Sequence, residues 1–180
     1  MSVSLPSILV AIPRNTILAV GLPLVLGILS GSHTGRVVRT QWYNTLRFPP
    51  GRPPRLAFPI IWPVLYICMG YASHIAVKAL DVSSDPVLRS DLTLALGLYY
   101  AQLALNCLWS PLFFGARQIG WALLDSIALT STTFYMTKLL HASVGTRSSI
   151  LLLPYCVWLS FATYLTGGCW WLNHSRRQLK

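Results

Sequence analysis

Five stretches of this chain run for many residues with almost no formal charge, separated by short polar links. Residues 12–30 are apolar apart from Arg14, which lies within a turn of the start, where its long stem can carry the charge out to an interface. Residues 56–77, 92–115 and 150–172 contain no Asp, Glu, Lys or Arg, and residues 120–137 contain a single such residue, Asp125. A helix rises about 1.5 Å per residue, so about 20 residues cross a hydrocarbon layer of about 30 Å. The pattern therefore predicts an all-α integral membrane protein, with five transmembrane helices in one bundle forming a single domain over residues 1–180. The first stretch lacks the charged leader and small-residue cleavage site of a secretory signal, so it is expected to remain as a span.

The links carry the charge. Residues 31–55 hold Arg36, Arg39, Arg47, Arg52 and Arg55 with no acid, and the pairs Pro49-Pro50 and Pro53-Pro54 remove backbone donors, which predicts a stiff extended lid loop with no helix in it. Asp81, Asp85 and Asp91 cluster in the next link, Arg117 marks a very short turn, residues 138–147 form the fourth link, and residues 173–180 form a basic tail. Lys and Arg are more numerous on the side of the lid loop, the Arg117 turn and the tail, so the loop and the C-terminus are expected in the cytosol. The net charge of +10 would suggest nucleic acid in a soluble chain. Here the positive charge is confined to links, which points instead to membrane lipid, through anionic head groups, or to an anionic ligand, with no nucleic acid. Cys68, Cys107, Cys156 and Cys169 form no C-x-x-C pair, and His33, His74, His141 and His174 are scattered, so no metal site is expected.

Candidate chemistry lies where a membrane should forbid it. Between Tyr99 and Asp125 the chain places Gln102, Asn106, Ser110 and Asp125 in or beside apolar runs, and each needs a protein or ligand partner. Gln102, Asn106, Trp109 and Phe113 share one helical face, as do Trp62, Tyr66, Met69 and Ser73. Trp42, Trp62, Trp109, Trp121, Trp170 and Trp171 all fall toward the lid-loop side, with Trp158 near mid-membrane. An interfacial belt would decorate both sides, so the asymmetry favours an aromatic cavity in the cytosolic half. Asp125, one turn into its span, reads as a structural partner of Arg117 or of another helix end. Gly97 and Ala101 give a small-xxx-small step compatible with a homodimer.

The segments WYNTLRFPPGRPP, FPIIWPVLYICMGYAS, QLALNCLWSPLFFGARQIGWALLD and PYCVWLSFAT resemble, in order, those of the translocator protein family, also called tryptophan-rich sensory proteins or peripheral-type benzodiazepine receptors. The resemblance implies five membrane helices and a pocket in the cytosolic half under the first loop, binding tetrapyrroles such as protoporphyrin or haem, and sterol in animals. It places Tyr43, Trp62, Tyr66, Asn106, Trp109, Trp121, Trp158, Ala162 and Leu165 in that pocket. Residence in the mitochondrial outer membrane, or in secretory membranes, is implied likewise. Arg47, Arg52 and Arg55 are expected at the pocket mouth as partners of propionates. The sterol-contact pattern of animal members is not intact: Gly167 and Trp171 stand where they place an aromatic and an arginine. Cys107 and Ser110 stand in place of an aromatic and a proline. No catalytic residue is expected, since no nucleophile is paired with a base. Degradation of bound porphyrin through pocket tryptophans and sterol or lipid transport are the alternatives.

Overall fold

The computed structural model describes residues 5–32 and 34–177, with side chains through His174. The side chains of Arg176 and Arg177, residue Lys180 and His33 therefore lie outside the described set. The first apolar run is not one continuous helix. A short α1 (Ser7–Ala11) leads into a 3-10 turn at Ile12–Arg14, and α2 (Thr16–Gly31) starts afresh. Pro13 and Asn15 explain the break: Asn15 is extended, and its Oδ1 accepts from the backbone N–H groups of Ile17 and Leu18, satisfying two donors at the new helix start.

The lid loop is more helical than its prolines suggest. It holds two short turns, α3 (Thr34–Val37) and α4 (Gln41–Thr45), before the chain extends toward Pro49. Proline stiffness acts only from Pro49 onward, so nothing prevents the preceding residues from closing local turns, and the expectation of an extended loop throughout is corrected.

Beyond the loop come α5 (Ala57–Val82), α6 (Pro86–Ser110), a π-helical turn over Pro111–Gly115, α7 (Ile119–Val144) and α8 (Thr146–Arg177). These helices outlast the apolar stretches because polar ends add turns beyond them. At the start of α6, for example, Asp85 accepts from the Val87 N–H while Pro86 occupies the first helical position. Pro111 cannot donate, and the wide turn after it closes with Ala116 N–H donating to Pro111 O at 2.8 Å. Arg117, with φ of 56°, reverses the chain into α7.

Helix α5 touches α2, α6 and α8, and α7 lies between α6 and α8. The core they share includes Met69, Leu92, Leu96, Met136, Tyr155 and Leu159, all nearly or fully buried. Away from the lid, a forked pair fixes the start of α2 to the end of α5: Arg14 donates from Nε and Nη2 to the two carboxylate oxygens of Asp81, at 3.0 and 2.8 Å. Beside it, His74 Nδ1 donates to the Pro13 carbonyl at 2.7 Å, leaving Nε2 to accept from the Thr16 hydroxyl at 3.2 Å. The Gly97 step faces the N-terminal segment, since a Cβ there would meet Leu5, while Ala101 is exposed.

Four helical segments among the described residues are long and apolar enough to cross a membrane: Thr16–Val37, Ala57–Val82, Pro86–Gly115 and Thr146–His174. Helix α7 matches α5 in length, at 26 residues, but its Ser and Thr residues, Asp125 and Lys138 keep it out of that group.

Candidate functional site

The polar residues of α6 meet aromatic hydroxyls from two other helices. Tyr66 Oη donates to Asn106 Oδ1 at 2.7 Å, and Asn106 Nδ2 donates to Tyr155 Oη at 3.0 Å. Tyr155 Oη in turn donates to Gln102 Oε1 at 2.8 Å, and the Gln102 amide points its N–H at the sulfur of Met69, 3.5 Å away. All five side chains are buried. The chain of bonds ties α5, α6 and α8 together at one depth, and it satisfies groups that would each be costly if left unpaired in an apolar interior.

An aromatic wall rises from this network toward the lid. Trp62 stacks on Tyr66, with ring centroids 5.4 Å apart and planes 27° apart, and meets Tyr155 and Trp158 edge-on. Phe58 and Phe161 complete it around Trp158. The Trp158 Nε1 is buried without an acceptor among the described residues.

A second aromatic group sits between the lid and the end of α6. The π-helical turn sets Phe113 face to face with Trp109, 4.9 Å apart and 15° from parallel, and Trp42 packs edge-on against Phe113. Tyr43 lies against Phe48 and Phe114. Arg52 closes this group from above: its Nη2 donates to Tyr43 Oη at 2.8 Å and its guanidinium carbon lies 3.9 Å from the Phe48 ring centre. Arg55 Nη2 donates to Asn44 Oδ1 at 3.4 Å.

The lid is docked along α8 at three levels. Tyr164 Oη donates to the Pro50 carbonyl at 3.2 Å. Buried Pro49 occupies the space where Gly168 lacks a side chain, so a Cβ there would come within 2.5 Å of the proline ring. Asn173 accepts from Arg47 N–H at 3.2 Å and donates to Arg47 O at 2.9 Å. Arg47 thus holds the lid through its backbone, with its side chain exposed.

Of the residues expected in a pocket, Trp62, Tyr66, Asn106 and Trp158 come together in the first group, and Tyr43 and Trp109 in the second. Trp121 joins neither. It is 64% exposed and lines a separate cavity of about 460 Å³ between α7 and α8, beside Trp170 and His174. Ala162 and Leu165 lie half-buried on α8, Ala162 accepting from the Thr166 hydroxyl through its carbonyl. Tyr155 was not among the expected residues, although its three- and seven-residue spacing to Trp158 and Ala162 puts it on their face of the helix.

Asp125 differs from expectation. Both carboxylate oxygens are buried and have no hydrogen-bond partner among the described residues, while Arg117 lies over the Trp42 ring with its guanidinium carbon 5.3 Å from the ring centre. The short turn after α6 directs Arg117 toward the lid, so the expected pairing is not made. An unpaired buried carboxyl group is destabilising, and Asp125→Leu is expected to stabilise the fold by about 1–3 kcal/mol. Thermal unfolding in detergent measures this; a lowered midpoint would mean that the carboxyl group has a stabilising partner.

The chain is similar to known proteins over most of its length. The model of the TspO/MBR family matches residues 19–172. The Translocator protein of Bos taurus is 41% identical over 156 residues, covering 87% of this chain and 88% of that protein. The Translocator protein of Homo sapiens is 38% identical over 84% of this chain and 86% of its own length. The Tryptophan-rich protein TspO of Chlorobaculum tepidum is 34% identical over 87% of this chain and 94% of its own length. The matched segment contains the Asn106 network, both aromatic groups and the lid residues themselves, and the chain therefore belongs to the TspO/MBR family.

Proposed function

We propose that this protein binds tetrapyrroles, protoporphyrin or haem, between its aromatic faces in the lid-side half of the membrane, for transport, sensing or scavenging. The observation that carries the reading is the wall of Trp62, Tyr66 and Trp158 standing on the Asn106 network. Flat aromatic faces offer stacking surface to a macrocycle, and the arginine-bearing lid above offers cations to its propionates. The name Translocator protein, borne by relatives, is consistent with a carrier role.

In this reading α7 crosses the membrane as a fifth span. Asp125, Ser126, Thr133 and Thr137 turn inward, where Thr133 and Thr137 donate to the carbonyls one turn back at 2.8 Å, while Leu124, Ile127 and Phe134 face outward. Hydroxyls satisfied within the helix remove much of the penalty of placing it in lipid. The lid then faces the cytosol by the excess of positive charge around it. Residence in the mitochondrial outer membrane, with a secretory membrane as the alternative, belongs to the same proposal and is checked by cell fractionation.

Titration of the detergent-solubilised protein with protoporphyrin, haem and cholesterol, followed by tryptophan quenching, tests the function. Saturable binding of the tetrapyrroles is expected; binding of cholesterol alone would replace the reading by sterol transport. The triple variant Arg47→Gln, Arg52→Gln, Arg55→Gln is expected to weaken protoporphyrin binding about tenfold, or about 1.4 kcal/mol. Unchanged affinity would remove the arginines from the mouth of the site.

A further inference from the structure

Beside the aromatic wall, α5 and α8 part to leave a groove of about 700 Å³ whose lining includes Ile60, Val64, Leu153, Val157, Trp158 and Phe161. Ile60, Val64, Leu153 and Val157 are each more than half exposed, so the groove opens outward along the flank of two helices apolar enough to span a membrane. Its mouth therefore faces bilayer hydrocarbon, and its apolar lining suits the face of a macrocycle whose propionates stay at the lid-side head-group level.

Trp158 belongs to both compartments. Its indole lines the groove and also meets Trp62 edge-on, with ring centroids 6.4 Å apart, and Trp62 stacks on Tyr66 of the interior network. Trp158, with Phe161 packed beside it, thus forms the partition between the groove and the Trp62–Tyr66 pair. That partition is imperfectly held, because the Trp158 Nε1 is buried without an acceptor among the described residues and an unmade hydrogen bond raises the energy of the closed arrangement. Both helices flanking it contain an interior proline, Pro63 next to Trp62 and Pro154 one turn before Trp158. Each removes a backbone hydrogen bond and makes the helix easier to bend at that level.

We infer that the α5–α8 groove is a lateral doorway through which a tetrapyrrole dissolved in the bilayer reaches the aromatic wall, with Trp158 as its leaf. The inference rests on the tetrapyrrole reading and adds a route to it. Entry from lipid leaves the lid docked on α8, and Trp158 is not one of the hydrogen-bonded members of the Asn106 network.

The test uses the full chain reconstituted in phosphatidylcholine vesicles and mixed by stopped flow with protoporphyrin, which partitions into the bilayer, with tryptophan quenching followed in time. The variants Val157→Phe and Ile60→Phe, singly and together, fill the groove from its lipid side without touching the wall. The double variant is expected to slow association at least tenfold while equilibrium affinity stays within twofold of wild type. Circular dichroism and unfolding midpoints establish that each variant is folded, and Val64→Phe replaces any that is not. Association as fast as wild type in folded, filled variants would remove the doorway and leave the binding function intact. No quenching of the wild type at any concentration would remove the tetrapyrrole reading, and the doorway with it.

Discussion

Gly70→Val is expected to destabilise the bundle by about 3 kcal/mol, at the upper end of what an overfilled contact usually costs. Gly70 is buried where α5 crosses α2. A Cβ there would run into the backbone carbonyl of Ala19 and lie 2.8 Å from Val20 Cα. Neither obstacle is the tip of a side chain that could swing aside, so the only relief is to move α2 off α5. Gly21, on α2, provides the contrast, because a Cβ there meets nothing within 4 Å. Gly21→Ala is expected to be neutral or slightly stabilising, since alanine is the better helix former. Unfolding midpoints of the two variants in one detergent give the comparison; equal midpoints would mean that the α2–α5 approach is looser than described.

The close approach at Gly70 is a kind of feature that sequence patterning does not disclose. Hydrophobic runs identified the long helices because a membrane demands length and apolarity, and both are visible in one dimension. The runs could not show that the first breaks at Asn15, because Asn15 caps a helix only if the chain turns there. Nor could they show how far α8 continues, since its extension along the lid depends on Pro49 meeting Gly168 and Arg47 meeting Asn173, each across more than a hundred residues.

For the candidate site, helical spacing placed Gln102 and Asn106 on one inward face and Trp62 and Tyr66 on another; the structure joins those faces directly through the Tyr66–Asn106 bond, and Tyr155 adds α8 to them. Spacing says which residues share a face; it cannot say which way the face turns once neighbours pack. Trp121 illustrates the difference, since its helix presents it to the outer α7–α8 groove while Ala122 beside it is fully buried. Asp125 illustrates another. Its sequence distance from Arg117 is short, yet the left-handed residue at the turn sends Arg117 over Trp42.

The network itself supplies the second large effect, and its connectivity dictates the order of the variants. Tyr155→Phe removes the one hydroxyl that both accepts from Asn106 and donates to Gln102, so it strands a donor and an acceptor in an apolar interior. Stranded buried groups cost about 1–3 kcal/mol each in soluble cores. In membranes, interhelical hydrogen bonds average nearer 0.6 kcal/mol, because loosened helices find other partners. A loss of about 2 kcal/mol for the pair lies between these limits. Asn106→Leu should cost less, about 1 kcal/mol, because Tyr155 keeps Gln102 and only the Tyr66 hydroxyl loses its acceptor. The two variants share the Asn106–Tyr155 bond, so the double variant should be less destabilised than the sum of the singles. A double-mutant cycle on unfolding free energies in detergent reads that difference. Strict additivity would show that the two side chains act separately, and the network would then be four independent contacts at one depth with no cooperative joint between α5, α6 and α8.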